Sequence, residues 1–198
     1  MTATPTPPMK LGLFGGSFDP VHLGHLLVAQ AACEEVGLDR LYFIPAAQSP
    51  FKPGAEPASA AERARLLRLA LAGQTRFAID LQEVGRGGVS YTIDTVRDYQ
   101  RRFAGAELFW LIGADHVPTL PKWREAEALA AAVRFIVIPR PGQAPVPLPA
   151  PFRGVELHGF PLGVSSSQIR ARVQAGLPVG GLVPSAVAEA IRNNRLYL

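Results

Sequence analysis

Residues Phe14 to His25 read Phe-Gly-Gly-Ser-Phe-Asp-Pro-Val-His-Leu-Gly-His, and the residues on either side dictate how that stretch is held. Lys10 to Phe14 is a short apolar run of the kind that forms a buried strand. Leu23, Leu26, Leu27 and Ala31 then recur at helical spacing. Gly15-Gly16-Ser17 is therefore a strand-to-helix turn, where the missing Cβ atoms let backbone approach a ligand. His22 and His25, three apart near the helix start, share a face. Unpaired N–H groups and the positive dipole end make such a helix start an anion site. Two imidazoles added to it suggest a polyphosphate. A metal pair would need a third ligand, and none lies nearby in sequence.

The rest of the chain repeats the strand-helix alternation. Leu41 to Pro45 is a second buried strand, giving a βαβ unit and hence a parallel sheet with a right-handed crossover. Ala46 to Ser59 is a Pro-rich loop, and Ser59 with Glu62 forms a capping box for the next helix. Phe77 to Asp80 is a third, shorter strand. Glu83 to Ser90 has three glycines and no apolar period, and is expected to be a loop. Tyr91-Thr92 leads into a helix. Leu108 to Ile112, the most apolar run, reads as a central strand buried on both faces. Leu120 to Arg124 is expected as a loop before a helix at Glu125 to Ala132, and Arg134 to Ile138 as a fifth strand. Pro139 to Pro151 holds six prolines in thirteen residues; the tail beyond is too short for its own core, so this is an excursion from one domain. Val155 to His158 adds a strand, Ser165 to Ala175 a serine-capped helix stopped by Gly176, and Ser185 to Asn193 a last helix. Residues 1–9 read as a flexible leader and 10–198 as one domain: a doubly wound parallel α/β sheet with a small C-terminal helical extension.

In such sheets ligands sit outside the carboxyl ends of the strands, near the switch in strand order. Gly15 to His25, Pro45 to Lys52 and Gly113 to Asp115 all follow strands and so converge on one rim. The serines at 165–167 begin a helix whose N-terminus faces anions, and Arg170, about one turn in, adds a forked cation. A pI near 9.6 suits anionic partners. The arginines are interleaved with acids rather than massed, so charge alone does not decide between nucleic acid and small polyphosphates; no base-stacking motif with a basic groove is visible, and no nucleic-acid partner is expected. No apolar run reaches the length of a membrane span, no signal peptide is visible, and the lone Cys33 fits a reducing, cytoplasmic setting.

Gly15-Gly16-Ser-Phe-Asp-Pro-Val-His22-Leu-Gly-His25 resembles the signature of the nucleotidylyltransferases that carry a His-x-Gly-His motif. Val164-Ser165-Ser166-Ser167-Gln-Ile-Arg170 resembles their second signature, with Ser167 where Thr is usual. Within that superfamily the details are similar to bacterial nicotinate-nucleotide adenylyltransferases. The resemblance implies transfer of AMP from ATP to nicotinate mononucleotide, giving deamido-NAD and pyrophosphate, with Mg²⁺ carried on substrate phosphates. It implies His22, His25 and Arg170 as catalytic residues. Gly15, Gly16, Ser17, Phe18, His22, His25, Gly113, Asp115, Ser165, Ser166 and Arg170 would bind ATP. Gly16, Ser17, Lys52, Tyr91, Thr92 and Trp123 would bind the mononucleotide, with Trp123 stacking on the pyridine ring and Thr92 and backbone N–H groups meeting its carboxylate. The family commonly has His before this lysine where the chain has Phe51, which puts more weight on Lys52. A pantetheine-phosphate adenylyltransferase or a non-catalytic nucleotide-binding module are the alternatives, and a homo-oligomer stays open.

Overall fold

The apolar runs form one sheet in the computed structural model, which describes residues 7–48, 57–159 and 162–198. The strands are β1 (Lys10–Gly16), β2 (Arg40–Pro45), β3 (Phe77–Ile79), β4 (Glu107–Gly113), β5 (Arg134–Ile138) and β6 (Gly154–Glu156). All pairs are parallel, in the order β3-β2-β1-β4-β5-β6. The sheet is therefore doubly wound, and its strand order reverses between β1 and β4.

Because side chains alternate across a strand, the sequence splits the core in two. Leu41, Phe43, Phe109, Leu111 and Ile136 face α1 (Leu23–Glu35), α2 (Ala60–Ala70), α6 (Ser166–Gln174) and α7 (Ser185–Asn193). Leu13, Tyr42, Trp110, Ile112 and Val137 face α4 (Thr92–Arg102), the 3₁₀ helix Ala114–Lys122 and α5 (Ala126–Ala132). Strands buried on both faces must be apolar at every position, which is why they read as continuous runs. Between β5 and β6 the Pro-rich segment folds back: Val146 and Leu148 pack on the second cluster, and Phe152 meets Phe135 edge-on.

Two segments differ from the sequence expectation. Residues Gln82–Arg86 form a short helix, α3, within the expected loop. It forms because Asp80 Oδ1 accepts the Gln82 N–H at 3.0 Å, a cap that outweighs the helix-weakening Gly85. Gly87, at φ 71°, ends it. The segment 114–122 is a 3₁₀ helix rather than a loop leading from 120. It contains Pro118 and Pro121.

β1 pairs with β2 as far as Gly16, but with β4 only as far as Leu13 and Trp110. Beyond that point β1 and β4 part at their carboxyl ends, and the crevice opens there. A Cβ on Gly15 would lie 2.6 Å from Trp110 Cζ2, so only glycine lets the two strands separate around the indole.

Candidate active site

The crevice is a cleft of about 610 Å³. It gathers residues distant along the chain: Gly15, Gly16, Ser17, His22 and His25; Tyr91 and Thr92; Gly113 and Asp115; Trp123; Ser165 and Ser166. Twelve of the residues singled out from the sequence thus share one rim.

His22 stands at the N-cap of α1, and its imidazole stacks on that of His25 with ring centres 3.6 Å apart. The His22 N–H donates to His25 Nδ1 at 3.2 Å. A ring nitrogen that accepts cannot carry the proton, so neutral His25 bears its proton on Nε2. Phe14 and Phe18 flank that ring, with Phe18 edge-on at 5.0 Å between centres. Phe18 is buried beneath the rim and is not among the cleft-lining residues. His22 is itself buried, and its pKa falls to about 4, through burial first and the charge of Arg140 second. Its Nδ1 is buried with no hydrogen-bond partner among the described residues.

The start of α1 is less open than expected. The Leu23 N–H donates to the Leu182 carbonyl at 2.9 Å, so one first-turn donor is spent on the chain itself. The loop before α7 supplies that carbonyl, a partner no local motif announces.

α6 is bound to the same turn. Ser165 caps it by accepting from Gln168 N at 3.3 Å, while Gln168 Oε1 accepts the Ser165 N–H at 2.8 Å. The Ser166 hydroxyl donates to Pro20 O at 2.9 Å. Arg170 donates from Nη1 to Asp19 O at 2.7 Å and from Nη2 to Ser167 Oγ at 3.4 Å. Its guanidinium thus braces the turn after β1 and is not among the cleft-lining groups. The Asp19 carboxylate accepts from Ala58 N and the Tyr197 hydroxyl, which ties α2 and the C-terminal residues into the turn.

Two arginines do line the cleft, Arg124 and Arg140, and Arg140 lies two residues past β5. Arg140 donates from Nε and Nη2 to Asp115 Oδ1 at 3.1 and 2.9 Å. Burial alone would raise the Asp115 pKa, but the hydrogen bonds and charge of Arg140 hold it below the usual carboxylate range.

On the opposite wall, Trp123 Nε1 donates to Thr119 Oγ1 at 3.1 Å, fixing the indole. Arg124 lies over the Tyr91 ring at 4.7 Å and faces Asp94 at 3.8 Å. Tyr91 is the N-cap of α4 and offers no side-chain cap, so the helix start is left to backbone donors. Lys52 and Phe51 fall at 49–56, outside the described residues. Arg140, Arg124 and Glu83 were missed from the sequence. Arg140 obeyed the strand-end rule that found the others, but a proline on each side hid it in the Pro-rich segment.

Among the described residues no three His, Cys, Asp or Glu side chains gather as a metal site, and no helix is long and apolar enough to cross a membrane.

A switch-point crevice walled by two helix starts, stacked imidazoles and an arginine defines a nucleotide-handling α/β protein. Residues 13–172 match the model of the cytidylyltransferase-like family. Relatives named probable nicotinate-nucleotide adenylyltransferase match along nearly the whole length. One from Opitutus terrae is 43% identical over 192 residues, covering 96% of this chain and 98% of its own. One from Thermus thermophilus is 42% identical over 193 residues, covering 96% and 100%. The solved structure of Plasmodium falciparum nicotinic acid mononucleotide adenylyltransferase complexed with APC shares the fold, at TM-score 0.75 and 15% identity, covering 96% of this chain and 97% of its own. The chain belongs to the cytidylyltransferase-like family and, within it, to the nicotinate-nucleotide adenylyltransferases, a group of nucleotidyltransferases.

Proposed function

We propose that the chain transfers AMP from ATP to nicotinate mononucleotide, releasing pyrophosphate and forming deamido-NAD, as a step of NAD synthesis in the cytoplasm. The observation that carries this reading is the convergence of the stacked His22–His25 pair and the start of α6 on one cleft, opposite Trp123 and the uncapped start of α4. Residues 10–198 act as one catalytic domain.

The reaction brings two polyanions together, so positioning and charge neutralisation carry it. The mononucleotide phosphate oxygen attacks the ATP α-phosphorus, and the bond to pyrophosphate breaks in line. No protein nucleophile is required. The proton on His25 Nε2 donates to the phosphate charge that develops, and neutral His22 adds its Nε2 edge beside it. Gly15, Gly16 and Ser17 give the phosphates room and backbone donors, while Ser165 and Ser166 begin the facing helix. Arg170 supplies positive field from behind that helix start, and Arg140 supplies it inside the cleft. Gly113 and Asp115 meet the adenosine ribose, with Asp115 Oδ2 accepting while Oδ1 stays on Arg140. Trp123 stacks on the pyridine ring, and Tyr91, Thr92 and the first α4 N–H groups meet its carboxylate. Lys52 serves the mononucleotide phosphate.

Mg²⁺ fits as a metal carried by the substrates, since Asp115 is committed to Arg140 and no acidic cluster stands among the described residues. When bound it neutralises charge on the phosphate oxygens. Purified protein with Mg-ATP should release pyrophosphate on addition of nicotinate mononucleotide. Turnover of 4′-phosphopantetheine in its place would overturn the choice of acceptor.

A further inference from the structure

Glu83 is 3% exposed, yet it lies in the cleft wall beside Ser90, Tyr91 and Thr92. Its neighbours fix where the protons are. Thr95 Oγ1 accepts from Arg86 Nη2 at 3.2 Å and donates to Glu83 Oε1 at 2.6 Å. Ser90 Oγ accepts from the Ala47 N–H at 3.1 Å, and its own hydroxyl bonds to the Glu83 carboxyl. Both hydroxyls already receive an N–H, so each has a proton to give and Glu83 must accept twice. An ionised carboxylate meets that demand, with Arg86 as the nearby countercharge.

The two hydroxyls belong to different parts of the wall. Thr95 lies one turn inside α4, while Ser90 precedes it and also donates its N–H to Gln48 O at 3.0 Å. Gln48 and Ala47 follow β2, so three segments meet at one carboxylate: the residues after β2, α3 and the start of α4. Burial pushes the Glu83 carboxyl up, while the hydrogen bonds from Thr95 and Ser90 and the charge of Arg86 pull against it.

We propose that Glu83 is a positioning residue for the acceptor subsite: accepting from Ser90 and Thr95, it holds the start of α4 against the 46–48 segment so that the mononucleotide carboxylate meets correctly placed N–H groups. The inference rests on the acceptor assignment above.

Glu83→Gln tests it. An amide keeps one accepting oxygen of the carboxylate's two and puts an NH₂ donor in place of the other, beside hydroxyls that have protons to donate. Steady-state kinetics should show KM for nicotinate mononucleotide raised about tenfold, with kcat and KM for ATP within about twofold. Ser90→Ala, which removes one donor without adding another, should shift the same constant in the same direction. It also serves if Glu83→Gln fails to fold. Unchanged constants, or equal shifts in both KM values, would overturn the positioning role. A parent enzyme that does not turn over nicotinate mononucleotide would instead overturn the acceptor assignment itself.

Discussion

The two walls of the cleft are held in different ways. The wall of β1, α1 and α6 is tied together mostly through main-chain acceptors: Ser166 to Pro20 O, Arg170 to Asp19 O, and Leu23 N–H to Leu182 O. The wall of α3, α4 and the Trp123 segment is tied mostly through side-chain pairs: Thr95 to Glu83, Arg86 to Thr95, Trp123 to Thr119, and Arg124 over Tyr91. A carbonyl is present whatever residue carries it, so the first wall keeps its shape under most substitutions. Each of those four ties in the second wall needs both of its side chains. On the function proposed above, phosphate chemistry would rest on the substitution-tolerant wall, and acceptor choice on the wall that single substitutions can retune.

The largest effect is expected where the first wall touches the reacting phosphate. His25→Ala should lower kcat about 100- to 1,000-fold, the scale for losing one preorganised donor to transition-state charge. Both KM values should stay near those of the parent, because Ser166 and Arg170 still hold the frame. A variant as fast as the parent would remove His25 from the chemistry and the first wall from its place in the comparison.

Next comes pH. Folded His22 titrates near 4 against an ordinary value of 6.5, so below about 6.5 the unfolded chain binds the proton first. Stability from this group is complete above that pH and is lost as pH falls toward 4, by about 3 kcal/mol in all. Denaturant midpoints at pH 7 and pH 4.5 read it directly. His22→Asn should flatten the difference. An equally steep loss in that variant would assign it to other groups, such as Asp115, whose lowered pKa acts in the same direction.

On the second wall, Trp123→Ala should raise KM for nicotinate mononucleotide about tenfold or somewhat more, the scale of one lost aromatic contact, and leave KM for ATP alone. A rise confined to ATP would exchange the roles of the two walls.

The same difference decides what the sequence could reveal. Residues 14–25 carry strand, turn, cap and both imidazoles within one short stretch, so local rules were enough, and apolar runs placed the four longer strands. Glu83 gave no such signal: it matters because Ser90 and Thr95 close on it, and three glycines disguised the helix that carries it. The Leu182 carbonyl and the Arg170–Asp19 contact are likewise long-range, spanning more than a hundred residues that only the folded sheet brings together.

The smallest effect probes the first wall at a side-chain tie. The Tyr197 hydroxyl donates to Asp19 Oδ1 at 2.9 Å, and burial holds that phenol firmly protonated. Tyr197→Phe removes the donor without opening a cavity, so stability should fall by about 1–2 kcal/mol, the scale for a hydrogen bond to a charged group. Asp19 keeps the Ala58 N–H on its carboxylate, and its carbonyl still anchors Arg170. KM for ATP should therefore change by less than about twofold even as the denaturant midpoint drops. If this wall depends on carbonyls, the two readouts separate in that way. A KM for ATP that climbs with the loss of stability would mean that the turn after β1 depends on side chains as much as the opposite wall does, and the contrast between them would fall.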